Sequence, residues 1–590
     1  MRVRMRVEPT RWMLLGILCL GLLIRLLHFW AIAGTALPKH HLTAENSDDY
    51  AFFQWAQTIL AGGWLGRDTY HPYFEWMRKV APQETWYRWW GGKEIFHQAP
   101  LYPYLLAGLL ALARGSVPLV LLAQLAIGAV QPLVMYRLAS LLLEPRVGLA
   151  AAAFTALYGP FIFHEGVLMR DWLSPILEPL AVLALLRAKK RGGGWAWGMA
   201  GGALGLALLA KETALLLILL MLVWIVLDHR GAWRRAATAA SWVLVGLLLS
   251  LSPLILRNAA VGAPFLALSN RTPEAFAVAN KPDTTFEKGL ADILERSGGG
   301  LLRATMDTVR SYQGDWPGLV NRQLWKLKAV KDPFEIPNNI SFAYGAELSP
   351  ALRWTLGFSV IFPLGLVGFG LSLKAPRRYL AILLYGIAAV AGLMLTSPIA
   401  RYRLVLVPVL ILYAAVVVIR FAVTIHHQEG RQAIGLLGLM VGCVLFQQFV
   451  LRLPQGVYSL DYLAAARAYA EDKQFDRAAA EMGRLLEKVR QSHQHPTDVP
   501  LFETDYHLLL ARHLLQQGNR EETKHQAERG AAAYTRYRQH GGEAAYPYFN
   551  LGLLYRGFDE PAKARDFFER FLILEPEGPQ AEQVRRILSR

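Results

Sequence analysis

Eleven apolar stretches, separated by short polar segments, constrain the fold of this chain more than any other feature of its sequence. A helix needs about 20 apolar residues to cross the hydrocarbon core of a bilayer. Hydrophobic residues make up 54% of the chain and charged residues 18%, which favours a membrane protein. We therefore predict an all-α fold, with a polytopic bundle of about eleven membrane spans. The stretches that meet or approach the required length are 12–33, 117–142, 147–163, 172–188, 195–210, 213–228, 238–256, 354–373, 379–396, 403–421 and 433–450.

The positions of the basic residues orient these spans. Short cytoplasmic loops carry an excess of Lys and Arg, and a cytoplasmic N-terminus brings almost every basic cluster to one side. A net charge of +17 that is divided in this way forms no continuous basic face, so we expect no nucleic-acid partner. The sequence thus predicts a multi-pass protein of the inner membrane. The basic clusters are Arg2/Arg4/Arg6, Arg146, Arg187/Lys189/Lys190/Arg191, Arg230/Arg234/Arg235, Lys374/Arg377/Arg378 and Arg420/Arg431.

Residues 99–114 decide whether the number of spans before each later loop is odd or even, and so on which side of the membrane that loop lies. They are apolar, but their short length and the presence of Pro100 and Pro103 make a crossing marginal. A crossing here would move every later basic cluster to the outside. We therefore predict an interfacial or re-entrant helix on the outer face, with 34–116 and 257–353 as large outer loops.

The chain changes character after the last apolar stretch. The turn signal Leu453-Pro454-Gln455-Gly456 leads into a segment rich in Ala, Glu, Arg and Gln, in which no window is apolar enough to span. We predict a membrane domain over 1–452 and an extracytoplasmic helical-repeat domain over 453–590, which would dock a protein partner or acceptor. A plain helical hairpin is the alternative. The tetratricopeptide spacing is followed by Tyr548, Leu551, Gly552, Tyr555, Ala564, Phe568 and Pro576, with a weaker copy over 461–486 and a degenerate one over 506–534.

Ionisable residues gather at the predicted outer ends of the spans. Charge this close to hydrocarbon is costly, and it tends to be paired or functional. A snorkelling anchor explains any one of these residues, whereas their common placement on one face favours a site. The first outer loop is also dense in Trp and Tyr, which suits either an aromatic belt or stacking on sugar rings. The residues concerned are Asp48, Asp49, Glu165, Asp171, Lys211, Arg401 and Arg403.

Four segments, taken in order, carry a resemblance to a known superfamily. The four segments are Asp48 ahead of Tyr50 and Trp55-Ala56, Pro100-Leu101-Tyr102-Pro103, Asp171 at the start of a span, and Arg401-Tyr402-Arg403-Leu404. They resemble the GT-C glycosyltransferases that use polyprenyl-phosphate sugars, most of all the protein mannosyltransferase and aminoarabinose transferase branch. Asn270 and Asn280 are similar to an Asn-containing segment of its tetratricopeptide-tailed bacterial members. Members often show Asp-Glu in the first loop, whereas this chain has Asp48-Asp49, which leaves open which carboxylate is catalytic.

The resemblance implies transfer of a sugar from a polyprenyl-phosphate donor to an acceptor hydroxyl on the outer face, with inversion. Such a reaction needs a base for the acceptor proton and cations for the departing phosphate. The resemblance implies Asp48 as the base, and Asp171 or Glu165 as the group that orients the acceptor or holds a cation. Arginine suits phosphate, and our candidates for that role are Arg401, Arg403 and Lys211. Further donor or acceptor contacts are expected from Asp49, Tyr102, Asn270 and Asn280.

The sequence leaves the cofactor open. It indicates none with certainty, although carboxylates clustered on one face could hold a divalent cation such as Mg²⁺ or Mn²⁺. His40 and His41 are adjacent and point apart on regular backbone, which disfavours a histidine metal site. The two cysteines lie far apart in apolar stretches, which disfavours a Cys site and a disulfide framework.

Two other functions remain open at the level of the sequence. One is a membrane scaffold without enzymatic activity, whose tail recruits partners. The other is a transporter for a lipid-linked sugar, which would place ionisable or broken-helix positions near the bilayer midplane. Here the ionisable residues gather at one mouth of the bundle, which favours the transferase.

Overall fold

The computed structural model describes residues 7–67, 70–282, 286–453, 456–492 and 497–589. Within these ranges every regular element is helical, so the all-α prediction is confirmed. The chain divides into two compact units, of which the first comprises Met1–His41 with Glu45–Leu453 and the second Leu42–Ala44 with Pro454–Arg590. The predicted basic cluster Arg2/Arg4/Arg6, and Pro454 and Gln455 of the predicted turn, lie outside the described residues.

The first unit consists of apolar helices interrupted by two groups of more polar ones. The N-terminal part contains α1 Val7–Ala33, α2 His40–Thr43, α3 Asp48–Leu60, α4 Glu75–Val80, α5 Gln83–Trp89, α6 Leu101–Leu112, α7 Val117–Gly128, α8 Gln131–Leu142, α9 Pro145–Leu157, α10 Gly159–Glu165, α11 Ser174–Arg191, α12 Gly194–Ala210, α13 Ala214–Asp228 and α14 Trp233–Val261. The remainder contains α15 Arg271–Asn280, α16 Phe286–Ser297, α17 Leu301–Arg310, α18 Trp316–Val330, α19 Phe342–Leu348, α20 Pro350–Arg353, α21 Phe358–Ser372, α22 Pro376–Leu395, α23 Ala400–Arg403, α24 Val407–His426 and α25 Gly430–Phe446.

Six helical segments of the described chain are long and apolar enough to cross a membrane. Five shorter apolar helices accompany them, namely α6, α9, α12, α13 and α21. Helix α6 has 12 residues, fewer than the roughly 20 that a crossing requires. These segments make the chain a multi-pass membrane protein. The six are Thr10–Ala33, Val117–Leu142, Trp233–Val261, Pro376–Leu395, Val407–His426 and Gly430–Leu451.

Among the predicted spans that differ from the helices observed, two bear on the site. The stretch 147–163 is broken at Tyr158, because Pro160 has no N–H to donate and the N–H of Gly159 donates to the carbonyl of Leu356 at 2.9 Å. The stretch 403–421 begins as a helix only at Val407, after the short α23. Both breaks bring polar residues to the end of an apolar helix.

Helices α12 and α14 approach each other closely because glycines line their contact. A Cβ built on Gly246 would lie 1.8 Å from the carbonyl oxygen of Gly198, and one on Gly201 would lie 2.0 Å from that of Val243. Small residues of this kind let membrane helices pack backbone against backbone. No larger side chain fits at these positions without separating the two helices.

The second unit consists of antiparallel helix pairs with an aromatic core. Tyr548, Leu551 and Phe568 are buried between the last pairs, and a Cβ on Gly552 would lie 2.6 Å from the Phe568 ring. The small residue thus stands where two helices cross, as in tetratricopeptide repeats, and the assignment of such repeats stays a prediction. The helices are α26 Ser459–Glu471, α27 Phe475–Ser492, α28 Val499–Gln516, α29 Arg520–Gln539, α30 Tyr546–Gly557, α31 Pro561–Leu574 and α32 Pro579–Leu588.

Candidate active site

Asp48 is the first residue of α3 and accepts hydrogen bonds from four side chains. Arg401 donates to it at 2.6 Å, Asn339 at 2.8 Å, Arg271 at 3.0 Å and Gln98 at 3.1 Å. The carboxylate is 2% exposed, and the start of a helix favours negative charge. Asp48 therefore stands at the centre of a buried, fully hydrogen-bonded cluster.

Asp171 joins the same cluster through a shared guanidinium. Arg401 donates from Nη2 to Asp48 and from Nη1 to Asp171, the latter at 3.2 Å. Lys211 donates to the other oxygen of Asp171 at 2.7 Å, and its Nζ lies 4.4 Å from the centre of the Tyr402 ring. Asn338 accepts from Arg401 at 2.6 Å and 3.0 Å. The structure thus brings together Asp48, Asp171, Lys211 and Arg401, which are distant in sequence.

The electrostatics of this cluster keep both carboxylates ionised. Burial opposes the charge of Asp48, but Arg271 and Arg401 hold its pKa well below the usual value. Burial likewise opposes the charge of Asp171, and Lys211 and Arg401 lower its pKa. The ion-paired groups are three cations and two carboxylates, so they carry one net positive charge. A buried site with excess positive charge favours an anionic ligand.

A second buried ion pair holds the chain next to the cluster. Arg170, which precedes Asp171, pairs with Glu212 at 3.0 Å, and Glu212 follows Lys211. Glu212 also accepts a hydrogen bond from the backbone N–H of Ala99 at 2.7 Å. Three segments that supply cluster residues are thereby fixed to one another.

Glu165 forms a separate ion pair. Both of its oxygens accept from Arg25 of α1, at 2.6 Å and 2.8 Å, and both side chains are fully buried. Arg25 is therefore held inside the first unit by this ion pair. Glu165 shares no hydrogen bond with Asp48 or Asp171 among those of the described residues, and Asp171 is the carboxylate that meets Asp48.

Arg403 lies on the same short helix as Arg401 but faces other partners. Its guanidinium donates to the carbonyls of Asp332 and Phe334, both at 2.6 Å, and to the Glu335 carboxylate at 2.7 Å. These bonds hold the chain that follows α18. The geometry therefore gives Arg403 a structural place, in contrast to the phosphate-binding role expected from the sequence.

Asp49 and Tyr102 form their hydrogen bonds with residues outside the cluster. Asp49 accepts from Nδ1 of His40 at 2.6 Å and from the hydroxyl of Ser47. Tyr102 donates to Gln124 at 2.9 Å in a buried position. Of the two adjacent carboxylates in the first loop, Asp48 is the one that meets the cations.

The two asparagines of the second large loop occupy different surroundings. Asn270 lies 3.0 Å from Nδ1 of His97, and its neighbour Arg271 reaches Asp48. Asn280 accepts from Lys326 at 2.6 Å and donates to the carbonyl of Leu395 at 2.9 Å. Asn270 is thus adjacent in sequence to a residue of the cluster, whereas Asn280 joins α15 to the end of α22.

Four residues of the cluster were missed in the sequence analysis, namely Gln98, Arg271, Asn338 and Asn339. Gln98 directly precedes the Pro100 segment that carries the resemblance, and Arg271 follows Asn270. Asn339 has a φ of +66°, a left-handed conformation that Asn adopts more readily than most residues. Their polarity is visible in the sequence, but their partners are set only by the tertiary fold.

The hydrogen-bond donors around Asp48 determine whether a divalent cation, which the sequence leaves open, could bind there. Among the described residues there is no group of three or more His, Cys, Asp or Glu side chains that could hold a metal ion. Both Asp48 oxygens already accept hydrogen bonds, and Arg401 occupies the position between Asp48 and Asp171. A divalent ion would have to displace these donors, so the described geometry does not fit one.

A comparison with protein families bears on this part of the chain. Residues 97–256 match the family of dolichyl-phosphate-mannose-protein mannosyltransferases. The match confirms the resemblance to protein mannosyltransferases over this segment, and the tetratricopeptide tail stays a prediction. The matched segment includes Asp171 and Lys211 and supports an enzyme that transfers a glycosyl group. No curated protein sequence matches the chain significantly.

Solved structures that resemble the chain include oligosaccharyltransferases of Archaeoglobus fulgidus. The archaeal enzyme in complex with an inhibitory peptide and a dolichol-phosphate is 15% identical, with a TM-score of 0.43, over 78% of this chain and 56% of that one. The apo enzyme is 14% identical, with a TM-score of 0.45, over 80% and 60% of the two chains. The present chain thus spans less than two thirds of these proteins.

Proposed function

We propose that the protein is a membrane glycosyltransferase that moves a sugar from a polyprenyl-phosphate donor to an acceptor hydroxyl on the extracytoplasmic face. The observation that carries this proposal is the buried cluster, in which an ionised carboxylate lies among cations. The family match over 97–256 supports the same class of reaction. A protein acceptor, or a partner that docks on the C-terminal unit, is part of the proposal.

The proposed reaction assigns a role to each ion-paired side chain. The bond between the anomeric carbon and the phosphate oxygen breaks, and its electron pair leaves with the polyprenyl phosphate. The acceptor oxygen attacks the opposite face of the same carbon, with inversion, and its proton passes to Asp48. Arg401, Lys211 and Arg271 stabilise the charge that develops on the phosphate. Asp171 orients Arg401 and Lys211.

The low pKa of Asp48 fits this scheme because Asp48 and the donor phosphate would share the same cations. A carboxylate with a strongly lowered pKa is a weak base. When the donor phosphate binds Arg401 and Arg271, their hold on Asp48 weakens and the pKa of Asp48 rises. In the proposed reaction Asp48 therefore becomes an effective base only after the donor has bound.

We also propose the topology in which the cluster faces outward. This topology has eleven spans and a cytoplasmic N-terminus. The eleven spans are the six long apolar segments, the shorter helices α9, α12, α13 and α21, and α11, with α6 left out. The basic residues at the C-terminal end of α11, Lys189, Lys190 and Arg191, are then cytoplasmic. The C-terminal unit lies outside in this arrangement.

The decisive test replaces Asp48 and compares it with its neighbour. Asp48→Asn keeps the size of the side chain but removes the base, and we expect transfer to be lost while the protein stays folded. Asp49→Asn is the matched control and is expected to retain transfer. Mass spectrometry of the glycans and glycoproteins of cells that carry each variant measures the outcome. Unchanged glycans with Asp48→Asn would favour the scaffold and refute the transferase.

A further inference from the structure

Helix α18, in the second large loop, has a buried polar attachment on one face and an apolar stripe on the other. Lys326, Ala329 and Val330 are buried on the inner face. The residues of the stripe recur at intervals of three or four, so they share one side of the helix. They are Trp316, Val320, Leu324 and Leu327, which are 54%, 56%, 58% and 40% exposed.

The inner face of α18 is attached to the end of a membrane-length helix. Lys326 donates to the carbonyls of Met394 and Thr396, at 2.9 Å and 2.7 Å, and to Asn280 at 2.6 Å. Met394 belongs to the last turn of α22, whose carbonyls have no partner within the helix. The end of a spanning helix lies near the membrane surface. The attachment therefore places α18 at the depth of the headgroups.

We propose that α18 lies in the plane of the membrane, with its apolar stripe in the boundary between the headgroups and acyl chains of the outer leaflet. A helix with a polar attached face and a Trp-containing apolar face has the character of an interfacial helix. Because the stripe is presented at the depth of a spanning helix's end, lipid is the partner it fits. The outer location rests on the topology under the proposed function.

The position of α18 bears on the site. The chain that follows it is held by Arg403 and continues to Asn338 and Asn339, which bond Arg401 and Asp48. An interfacial α18 would therefore set the height of the cluster above the lipid. This fits a substrate whose phosphate is at the headgroup level and whose chain is in the membrane.

Spin-label accessibility of the full-length protein tests this proposal. In a background with Cys19→Ser and Cys443→Ser, a single label is placed at Leu324→Cys in vesicles of phosphatidylcholine and phosphatidylglycerol. Two exposed positions serve as references, Leu249→Cys on α14 for the bilayer interior and Glu582→Cys on α32 for water. Collisions with apolar oxygen and with a water-soluble nickel chelate are compared.

We expect the oxygen-to-nickel collision ratio at position 324 to be severalfold higher than at 582 and lower than at 249. A ratio equal to that at 582 would overturn the proposal, because the stripe would then face water. Dipolar broadening between labels at 324 would also overturn it, in favour of a second copy of the chain. The measurement needs no sugar donor, so its failure is distinct from a failure of the transferase assay.

Discussion

Replacing Lys211 by Met removes one of the two cations that face Asp171, and it separates the structural role of the lysine from its proposed role in binding. In the free protein the 2.7 Å ion pair is lost from a site where both side chains are at most 5% exposed. Breaking a buried pair costs about 3–5 kcal/mol. Because Asp171 keeps Arg401, we expect the lower end of this range and a reduced melting temperature.

The binding of polyprenyl phosphate provides the second readout. A hydrogen bond to a charged group contributes about 1.5–3 kcal/mol, which corresponds to a Kd roughly 10 to 150 times higher for Lys211→Met. Undecaprenyl phosphate added to the purified protein in detergent is the probe, and its Kd is measured by titration. The double variant Lys211→Met/Asp171→Asn also removes the carboxylate charge that Lys211 had balanced. We expect it to recover much of the stability but not the affinity.

A matched control distinguishes lost affinity from general damage. Arg512→Met removes a half-buried cation of the C-terminal unit, which donates to Asn550 at 2.7 Å and makes no bond to the cluster. It is expected to lower the melting temperature without changing the Kd for undecaprenyl phosphate. If Lys211→Met binds the lipid as tightly as the unchanged protein, the phosphate-binding role of Lys211 is wrong.

Two further predictions follow from the packing and the charges. Gly246→Val is expected to prevent folding, because the added Cβ would lie 1.8 Å from the Gly198 carbonyl oxygen. Gly435→Val is the control, since a Cβ there meets nothing within 4 Å. The two variants are compared by the yield of monodisperse protein after purification. Arg271→Met removes a cation that holds down the pKa of Asp48. Because the base acts deprotonated, transfer is lost as the pH falls through this pKa. The variant should therefore lose kcat/KM at a higher pH than the unchanged protein. If the acid limbs of the two pH profiles of kcat/KM are identical, the role of Arg271 is wrong.

The helical, membrane-embedded character of the chain could be predicted from apolar length alone, but the ends of the helices could not. The break at Tyr158 depends on a hydrogen bond between Gly159 and Leu356, which lie far apart in sequence. No pattern of hydrophobicity contains that information. The outer-face position predicted for α6 rests on charge parity together with the short length of this segment and its two prolines.

The sequence indicated the chemical character of the site but only some of the residues that form it. Charges beside apolar stretches indicated Asp48, Asp171, Lys211 and Arg401. Spacing could not separate Arg401 from Arg403, because residues two apart on a helix point in different directions. The first meets the two carboxylates and the second meets backbone carbonyls, a distinction that arises only when other loops fold against them.

The guanidinium that Asp48 and Asp171 hold in common has a consequence for the end of the proposed reaction cycle. A sugar-linked polyprenyl phosphate is a diester with one negative charge, whereas the released lipid is a monoester that approaches two. Cations chosen to attract the first would retain the second more strongly. The carboxylates compete for Arg401, and by reclaiming it they would help to expel the spent lipid and restore the resting arrangement for another turnover.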